Sequence, residues 1–573
     1  MTLDVSDATS IKLNGQDVIK ISDGLNTLWE KGTPISSPLR VVNNVAGSAI
    51  TVTLTRNGSP ADINIEYSTD NVNWTTWTET NGVSSMIIAQ NGNLFFRGNN
   101  PNGLDPTNSD NDYYSFTADK KYAMAGDIRS LVSRYEIDDI PNSCFRKFFY
   151  NSTTLDNASY MRLPATRPGQ WAYLHLFGGC TGLRFAPHEL PATNLVNENN
   201  SDGRCYGYMF KNCSSLITMP IIRATRFGYQ ACQEMFNGCS ALTNQWATAT
   251  PSDSSTTNIS FTIESGNNKT HCFSAMFQGC TSLVDASGIT ATKTGWAASE
   301  CYRMFYGCTA LTSTPSMTFG SFASGTAHCQ AMFYGCTSLV STPNIHLDAT
   351  TVYQQTYKQM YQGCTKLTTA PEIKATTMFA NTDNGSLASM FYGCTALTYI
   401  KVNFTDWNSG NYTNSWTYGV HISGRFDCPT TLTATKNTDA FNIYNKTSYI
   451  PQGWGVNKYS SWNCTDAYFY KQSSGTNELV RITIKKWNGS FPSSGAVGGN
   501  RSYAVGTYSY PSPPSDPSAT ANQSVNGSGQ IYFNVGSPIS GTRYYAVKFR
   551  MATKDSSSND DTIWCFYKTV TNP

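Results

Sequence analysis

Between residues 144 and 400 apolar side chains recur in blocks of one order, as at Cys301, Met304, Phe305, Cys308 and Leu311. Apolar positions at i, i+3, i+4 and i+7 share one face of an α-helix, so each block predicts a short helix. Gly307, near the end of its block, suits a left-handed C-terminal turn. Leu-Thr-x-x-Pro follows at 311–315 and 367–371, with Leu-Val-Ser-Thr-Pro at 339–343. A short extended stretch then closes on Ala-Thr at 165–166, 192–193, 224–225, 291–292, 349–350 and 375–376, and is the predicted strand of each unit. A single unit cannot bury its own apolar face. Stacked units bury a continuous column of Met, Phe, Cys and Leu.

The block recurs as LFGGCTGL (176–183), MFKNCSSL (209–216), MFNGCSAL (235–242), MFQGCTSL (276–283), MFYGCTAL (304–311), MFYGCTSL (332–339), MYQGCTKL (360–367) and MFYGCTAL (390–397). A degenerate first copy, FFYNSTTL (148–155), has Ser152 at the Cys position. Successive spacings are 28, 33, 26, 41, 28, 28, 28 and 30, inside or near the leucine-rich-repeat range. The long interval holds the Ser/Thr-rich insertion 248–260, expected to be a loop on one face of a solenoid of about nine ~28-residue repeats.

The flanks change period. Residues 1–33 carry Asn14-Gly15 and Asp23-Gly24 between the runs Ile11–Leu13, Val18–Ile21 and Leu25–Trp29, which predicts a three-stranded meander. After the linker around Pro34 and Pro38, residues 38–122 alternate through Ile50–Leu54, Ile63–Tyr67, Trp74–Trp77, Met86–Ala89 and Leu94–Arg97, as in an immunoglobulin-like β-sandwich. The solenoid is then 123–400 and its C-terminal cap 401–456, with FDCPTTL at 426–432 and YIPQGWGV at 449–456. Residues 457–573 return to strand texture at 481–487, 530–535, 543–549 and 562–567, with Trp487 and Trp564 as core candidates and YPSPPSDPS (510–518) as a rigid loop. The expected class is α+β and multidomain.

Charge narrows the function. Forty basic and 38 acidic residues among 573 leave a net charge of +2, so no global field draws the chain to nucleic acid. No apolar run is long enough to span a membrane. Charged residues are only 14% and aromatics 13%, a composition of β-rich, adhesive surfaces. The opening MTLDVSDATS has neither a basic nor an apolar segment of a secretory signal. A virion protein, made in the host cytoplasm and released by lysis, reconciles that start with an extracellular composition.

Fourteen of the 17 cysteines lie in the repeats, in pairs such as Cys205/Cys213, Cys232/Cys239, Cys272/Cys280, Cys301/Cys308 and Cys329/Cys336. On a helix, such partners are too far apart for a disulfide. There is no C-x-x-C, and His175, His188, His271, His328, His346 and His421 have no ligand spacing. Buried free thiols are therefore expected, as in a reducing compartment. Asp105, Asn108, Asp110 and Asp112 crowd one loop; they suit calcium by type but not by EF-hand spacing, and solvated loop acids are the favoured reading. No G-x-S-x-G, Walker A or H-E-x-x-H motif occurs. The Gly-rich stretch Gly495–Gly499 lacks a following helix, and Asp138/Asp139 and Asp560/Asp561 are adjacent rather than opposed. No catalytic, cofactor or metal residue is assigned, and individual binding residues are left open.

The repeated MFxGC(S/T)xL unit over roughly 144–400 resembles the surface leucine-rich repeats of the Treponema/Bacteroides type, called BspA-like. The closing FDCPTTL…YIPQGWGV and the preceding EYSTDNVNWTTW (66–77) and NLFFRGNN (93–100) are similar to segments flanking such arrays. KLNGQDVIKISDGLNTLWEK (12–31) resembles N-terminal modules of phage and prophage virion proteins of gut Bacteroidetes. The resemblance implies surface recognition without catalysis or cofactor. The expectation is a phage fibre or appendage on the virion surface, anchored to capsid or tail by residues 1–33. Its solenoid would bind a host glycan or outer-membrane protein through the face bearing the insertion, with a homo-oligomer possible. A bacterial cell-surface adhesin is the alternative, and a glycan-degrading appendage built on two distant carboxylates the lesser one.

Overall fold

A computed structural model describes residues 34–457 with interruptions, the longest at 247–260, and beyond them the strands lying within 11–30 and 470–571. The described residues are almost entirely β. Their one helix is a 3₁₀ turn, Ile128–Leu131, whose N-cap Asp127 accepts from the Arg129 backbone N–H.

The α+β expectation is thereby corrected, and the hydrogen bonds give the reason. In the segment predicted as helical, backbone N–H groups alternate between two kinds of partner. Cys301, Arg303, Phe305 and Gly307 donate to His328, Gln330, Met332 and Tyr334 of the next coil at 2.7–3.0 Å. Met304, Tyr306 and Cys308 donate three residues back, to Cys301, Arg303 and Phe305. The chain is a ribbon of consecutive turns laddered to its neighbours. Every fourth residue has a left-handed backbone: φ is 53° at Ser299, 53° at Arg303 and 72° at Gly307. The repeat is thus four residues, with two side chains in and two out, as in the run Cys301, Met304, Phe305 and Cys308 (buried) against Tyr302, Arg303, Tyr306 and Gly307 (half-buried). Over eight residues this is indistinguishable by pattern from a helix of period 3.6.

Ten coils stack so that one column reads Phe149, Phe177, Phe210, Phe236, Phe277, Phe305, Phe333, Tyr361, Phe391 and Trp416. Ring centroids from Phe149 to Phe391 are 5.2–5.9 Å apart and nearly coplanar in orientation. Each buried ring contributes roughly 1.5–3 kcal/mol by leaving water, and the stacking about 0.5–1.5 kcal/mol more. Beside it runs the Cys column. Each thiol donates to the carbonyl of the aromatic residue one coil back, as Cys308 Sγ to Phe277 O at 3.0 Å and Cys364 Sγ to Phe333 O at 3.0 Å. The Thr of the Leu-Thr step does likewise on the outer edge: Thr312 Oγ1 donates to Val284 O at 3.0 Å. Short parallel strands complete each coil, such as Thr351–Val352 against Thr377–Met378.

The sandwich has a six-stranded and a three-stranded sheet. Three of its strands escaped the sequence reading: Leu39–Val42, Tyr113–Ala118 and Tyr122–Asp127. Tyr122–Asp127 pairs antiparallel with Leu39–Val42 on one side and parallel with Leu155–Arg162 of the first coil on the other. Sandwich and solenoid consequently share one hydrophobic core, running from Leu39 to Trp454. Phe116 lies 5.9 Å from Phe149, joining the sandwich aromatics to the ladder, and Tyr122 Oη bonds Ser152 Oγ at 2.7 Å. That bond explains the Ser of the degenerate first copy: it meets a sandwich hydroxyl where later coils meet a carbonyl.

At the other end the strands Tyr399–Lys401, Arg425–Pro429 and Gly455–Tyr459 pair in parallel over Trp407, Trp416 and Phe426, in the segment expected to be the cap. The N-terminal strands form two hairpins, Ile11–Leu13 with Gln16–Val18 and Lys20–Ser22 with Thr27–Glu30. The described strands within 470–571 pair into antiparallel sheets of three and four strands. Side chains there, including Trp487, Trp564 and Asp560/Asp561, lie outside the described residues, as do Gly495–Gly499 and the insertion 248–260.

Candidate binding surface

The turn ribbons stack into one wall of the solenoid. At the ~4.8 Å spacing of paired strands, ten coils make it roughly 45 Å long. Its outward positions lie two, five, six and nine residues before each Cys position. Because every fourth residue has positive φ, side chains leave this wall in fixed columns, each stacked on its equivalent one coil away.

The columns are rich in aromatic and amide groups. Tyr306 and Tyr334 stack at 4.5 Å, Tyr392 and Tyr418 at 4.6 Å, and His175 and Tyr208 at 4.7 Å. Gln362 holds the place between the two tyrosine pairs and donates to Tyr334 Oη at 3.5 Å. The Arg303 guanidinium lies 5.0 Å from the Tyr302 ring and 5.2 Å from that of Tyr306. Further along, Lys211 sits 5.1 Å from the Tyr208 ring and ion-pairs with Glu234 at 2.6 Å. Burial by these neighbours raises the Tyr334 and Tyr208 hydroxyls above the ordinary tyrosine range and lowers His271 below the ordinary histidine range. Five polar atoms buried beneath the wall surface have no hydrogen-bond partner: Trp171 Nε1, Gln233 Oε1, His271 Nδ1, Arg303 Nε and Gln362 Oε1.

The strand face differs. There, charges meet across adjacent coils as Arg223–Glu189 at 2.6 Å, Lys374–Asp348 at 2.8 Å and Lys401–Glu372 at 3.1 Å. Asp139, one of the adjacent acids in the sequence, is paired with Arg167 in the same manner at 2.5 Å.

The loop acids do not form a described cation site. Asp105 is buried against Arg146, Oδ2 to Nε 2.6 Å, and so is no solvated loop acid; it clamps the first coil to the sandwich. Asp112 Oδ1 accepts from the Ser59 backbone N–H at 2.7 Å, while Asn108 and Asp110 lie outside the described residues. The histidines are dispersed: His328 is in the core, with Nε2 2.9 Å from Ala323 O and Nδ1 3.1 Å from Thr356 Oγ1. Among the described residues no cluster of His, Cys, Asp and Glu is placed to hold a metal. All fifteen described cysteines are buried and outside any disulfide, and burial raises the thiols of Cys308 and Cys394 to about 12.

A hollow of about 360 Å³ at the sandwich edge is lined by Pro34, Asn71, Trp74, Arg97 and Arg134 among others. Its two guanidinium groups both reach Glu66, at 2.6 and 3.0 Å, and Arg97 lies 4.1 Å from the Trp74 ring. The charges of this hollow are met internally.

Sequence reasoning left the binding residues open because the helix period scatters the outward residues around a cylinder. The usable signal was the Gly or Asn directly before each Cys-position residue, repeated four residues earlier by His175, Glu234, Arg303 and Gln359 with the same backbone sign. No family model, curated protein or solved structure matches this chain.

Proposed function

We propose that the chain is a non-enzymatic appendage of a phage particle that adheres to the bacterial surface through its solenoid. The observation that carries this reading is that the fifteen described cysteines are buried and none stands in a disulfide. Equivalent cysteines stand in contact in successive coils, as Cys301 and Cys329 do. During folding in an oxidising compartment such neighbours pair; in a reducing cytoplasm they reach their buried, hydrogen-bonded places as thiols. An adhesive β-solenoid that folds in the cytoplasm and works outside the cell fits a virion protein released by lysis. The resemblance of residues 12–31 to virion modules and of the repeats to BspA-like surface proteins supports the same reading, with residues 1–33 as the anchor to capsid or tail. Mass spectrometry of purified particles, with electron microscopy using labelled antibody against residues 457–573, tests it. Label on a projecting appendage is the expected result. Label on bacterial surfaces, with no protein in particles, replaces it with the cell-surface adhesin.

A further inference from the structure

We infer that the turn-ribbon wall is the adhesive face and that its ligand is an acidic polysaccharide, one bearing carboxylates along a polyhydroxylated chain. This rests on the adhesive reading above and names its surface and ligand class.

The first argument is charge. Across the described outward columns of the wall stand Lys147, Arg204, Lys211, Arg303 and Lys358, against the single carboxylate Glu234. The whole chain is nearly balanced, and the strand face matches acids to bases rung by rung. Among the described residues the wall thus carries five basic groups against one acid. A polymer with regularly placed carboxylates is its electrostatic complement.

The second argument is the chemistry between the charges. From Asn237 to Tyr392 the column two residues before the Cys position carries an amide or a tyrosine in every coil, so hydrogen-bonding groups recur there at the strand spacing. Amides and hydroxyls bond sugar hydroxyls in either sense, as donors or acceptors. The basic groups are too sparse for the phosphate density of a nucleic-acid duplex, which calls for a continuous basic stripe. The rings of Tyr306 and Tyr334 cover one another's faces, so the tyrosines act through edges and hydroxyls rather than by stacking on sugar rings.

The third argument is repetition. A polymer lying along the coils meets several weak contacts in series, and its apparent affinity rises with its length.

The test uses the full chain and immobilised polygalacturonate, with its fully methyl-esterified form as the neutral counterpart on the same backbone. Arg303→Gln with Lys358→Gln removes two wall charges; both columns already carry Gln, at Gln359 and Gln330, so the coils tolerate it. Lys374→Gln with Lys401→Gln is the control on the strand face. The expected result is binding to polygalacturonate that strengthens with chain length and weakens with salt, at least about tenfold weaker on the ester or for the wall variant, and unchanged for the control. Equal binding to acid and ester, no binding to either, loss in the control, or equally tight, wall-dependent capture of duplex DNA overturns the inference. Binding to intact Bacteroidetes cells is measured in parallel. Cells bound equally well by wild type and wall variant also overturn the ligand and face while leaving adhesion standing; absence of cell binding removes both.

Discussion

Replacing Gly335 by alanine separates a turn ribbon from a helix by the sign of the effect. Gly335 has φ of 70°, and a Cβ built there meets only Gly307 Cα, at 3.8 Å, an ordinary contact. Space is therefore no obstacle, and the cost is backbone strain. A left-handed conformation costs an L-residue roughly 1–2 kcal/mol. The smaller conformational freedom of unfolded alanine returns roughly 0.4–1 kcal/mol. The net expectation is a destabilisation of about 1 kcal/mol. In a helix the same change stabilises by about 0.8–1 kcal/mol, since glycine is the poorer helix former. Gln359, with φ of 59°, supplies the reciprocal: Gln359→Gly is neutral or mildly stabilising on a ribbon and destabilising on a helix. Urea midpoints of the full chain, followed by far-UV circular dichroism and amide exchange in the repeats, read both signs. Stabilisation by Gly335→Ala together with loss on Gln359→Gly would falsify the ribbon, as would helical double minima from the repeats.

Three further outcomes follow from buried polar groups. Burial lowers His328 to about 4 from an unfolded value near 6.5, so the neutral ring favours folding fully above pH 6.5. That contribution, at most about 3 kcal/mol, falls away as pH drops from 6.5 to 4, and His328→Gln flattens the pH dependence of the urea midpoint in that window. Lys293 and Glu300 form a buried pair, Nζ to Oε1 2.7 Å, beneath the Trp296 ring; Glu300→Gln costs about 3–5 kcal/mol, whereas Lys293→Met with Glu300→Leu recovers most of it in thermal melts. Thiol reagents at pH 8 modify Cys308 and Cys336 only at the rate of coil opening, because burial raises both thiols; peptide mapping that finds either modified in the folded protein within seconds refutes that protection.

Much of the architecture was legible, and the misreadings share a cause. The repeats, the change of period at the flanks and the stacked apolar column follow from side-chain identity, and the solenoid has them. Backbone state within a unit did not follow, because Cys301, Met304, Phe305 and Cys308 satisfy periods of 3.6 and 4 equally. Only residues that tolerate positive φ distinguish the two, and Arg303 and Gln359 hold that conformation without being glycine. The cysteines were read as small apolar fillers. Their hydrogen bonds to the preceding coil, such as Cys336 Sγ to Phe305 O at 3.2 Å, require knowing which carbonyl is in reach. The strand Tyr122–Asp127 was missed because it is buried along its whole length and lacks alternation. Asp105 looked like a loop acid because its partner, Arg146, lies 41 residues on.

That same strand gives assembly a direction. Tyr122–Asp127 offers the first coil a finished edge, and each coil thereafter is the template for the one after it. Growth can begin on the completed sandwich as the chain emerges and proceed coil by coil, each closure spanning about one repeat length. Removing coils from the C-terminal side and restoring the tryptophan cap should shorten the protein without unravelling it. Removing the sandwich instead leaves the first coil's strand edge bare at the starting end, inviting another molecule's last coil to take the place of Tyr122–Asp127 and converting a solenoid of fixed length into an open polymer.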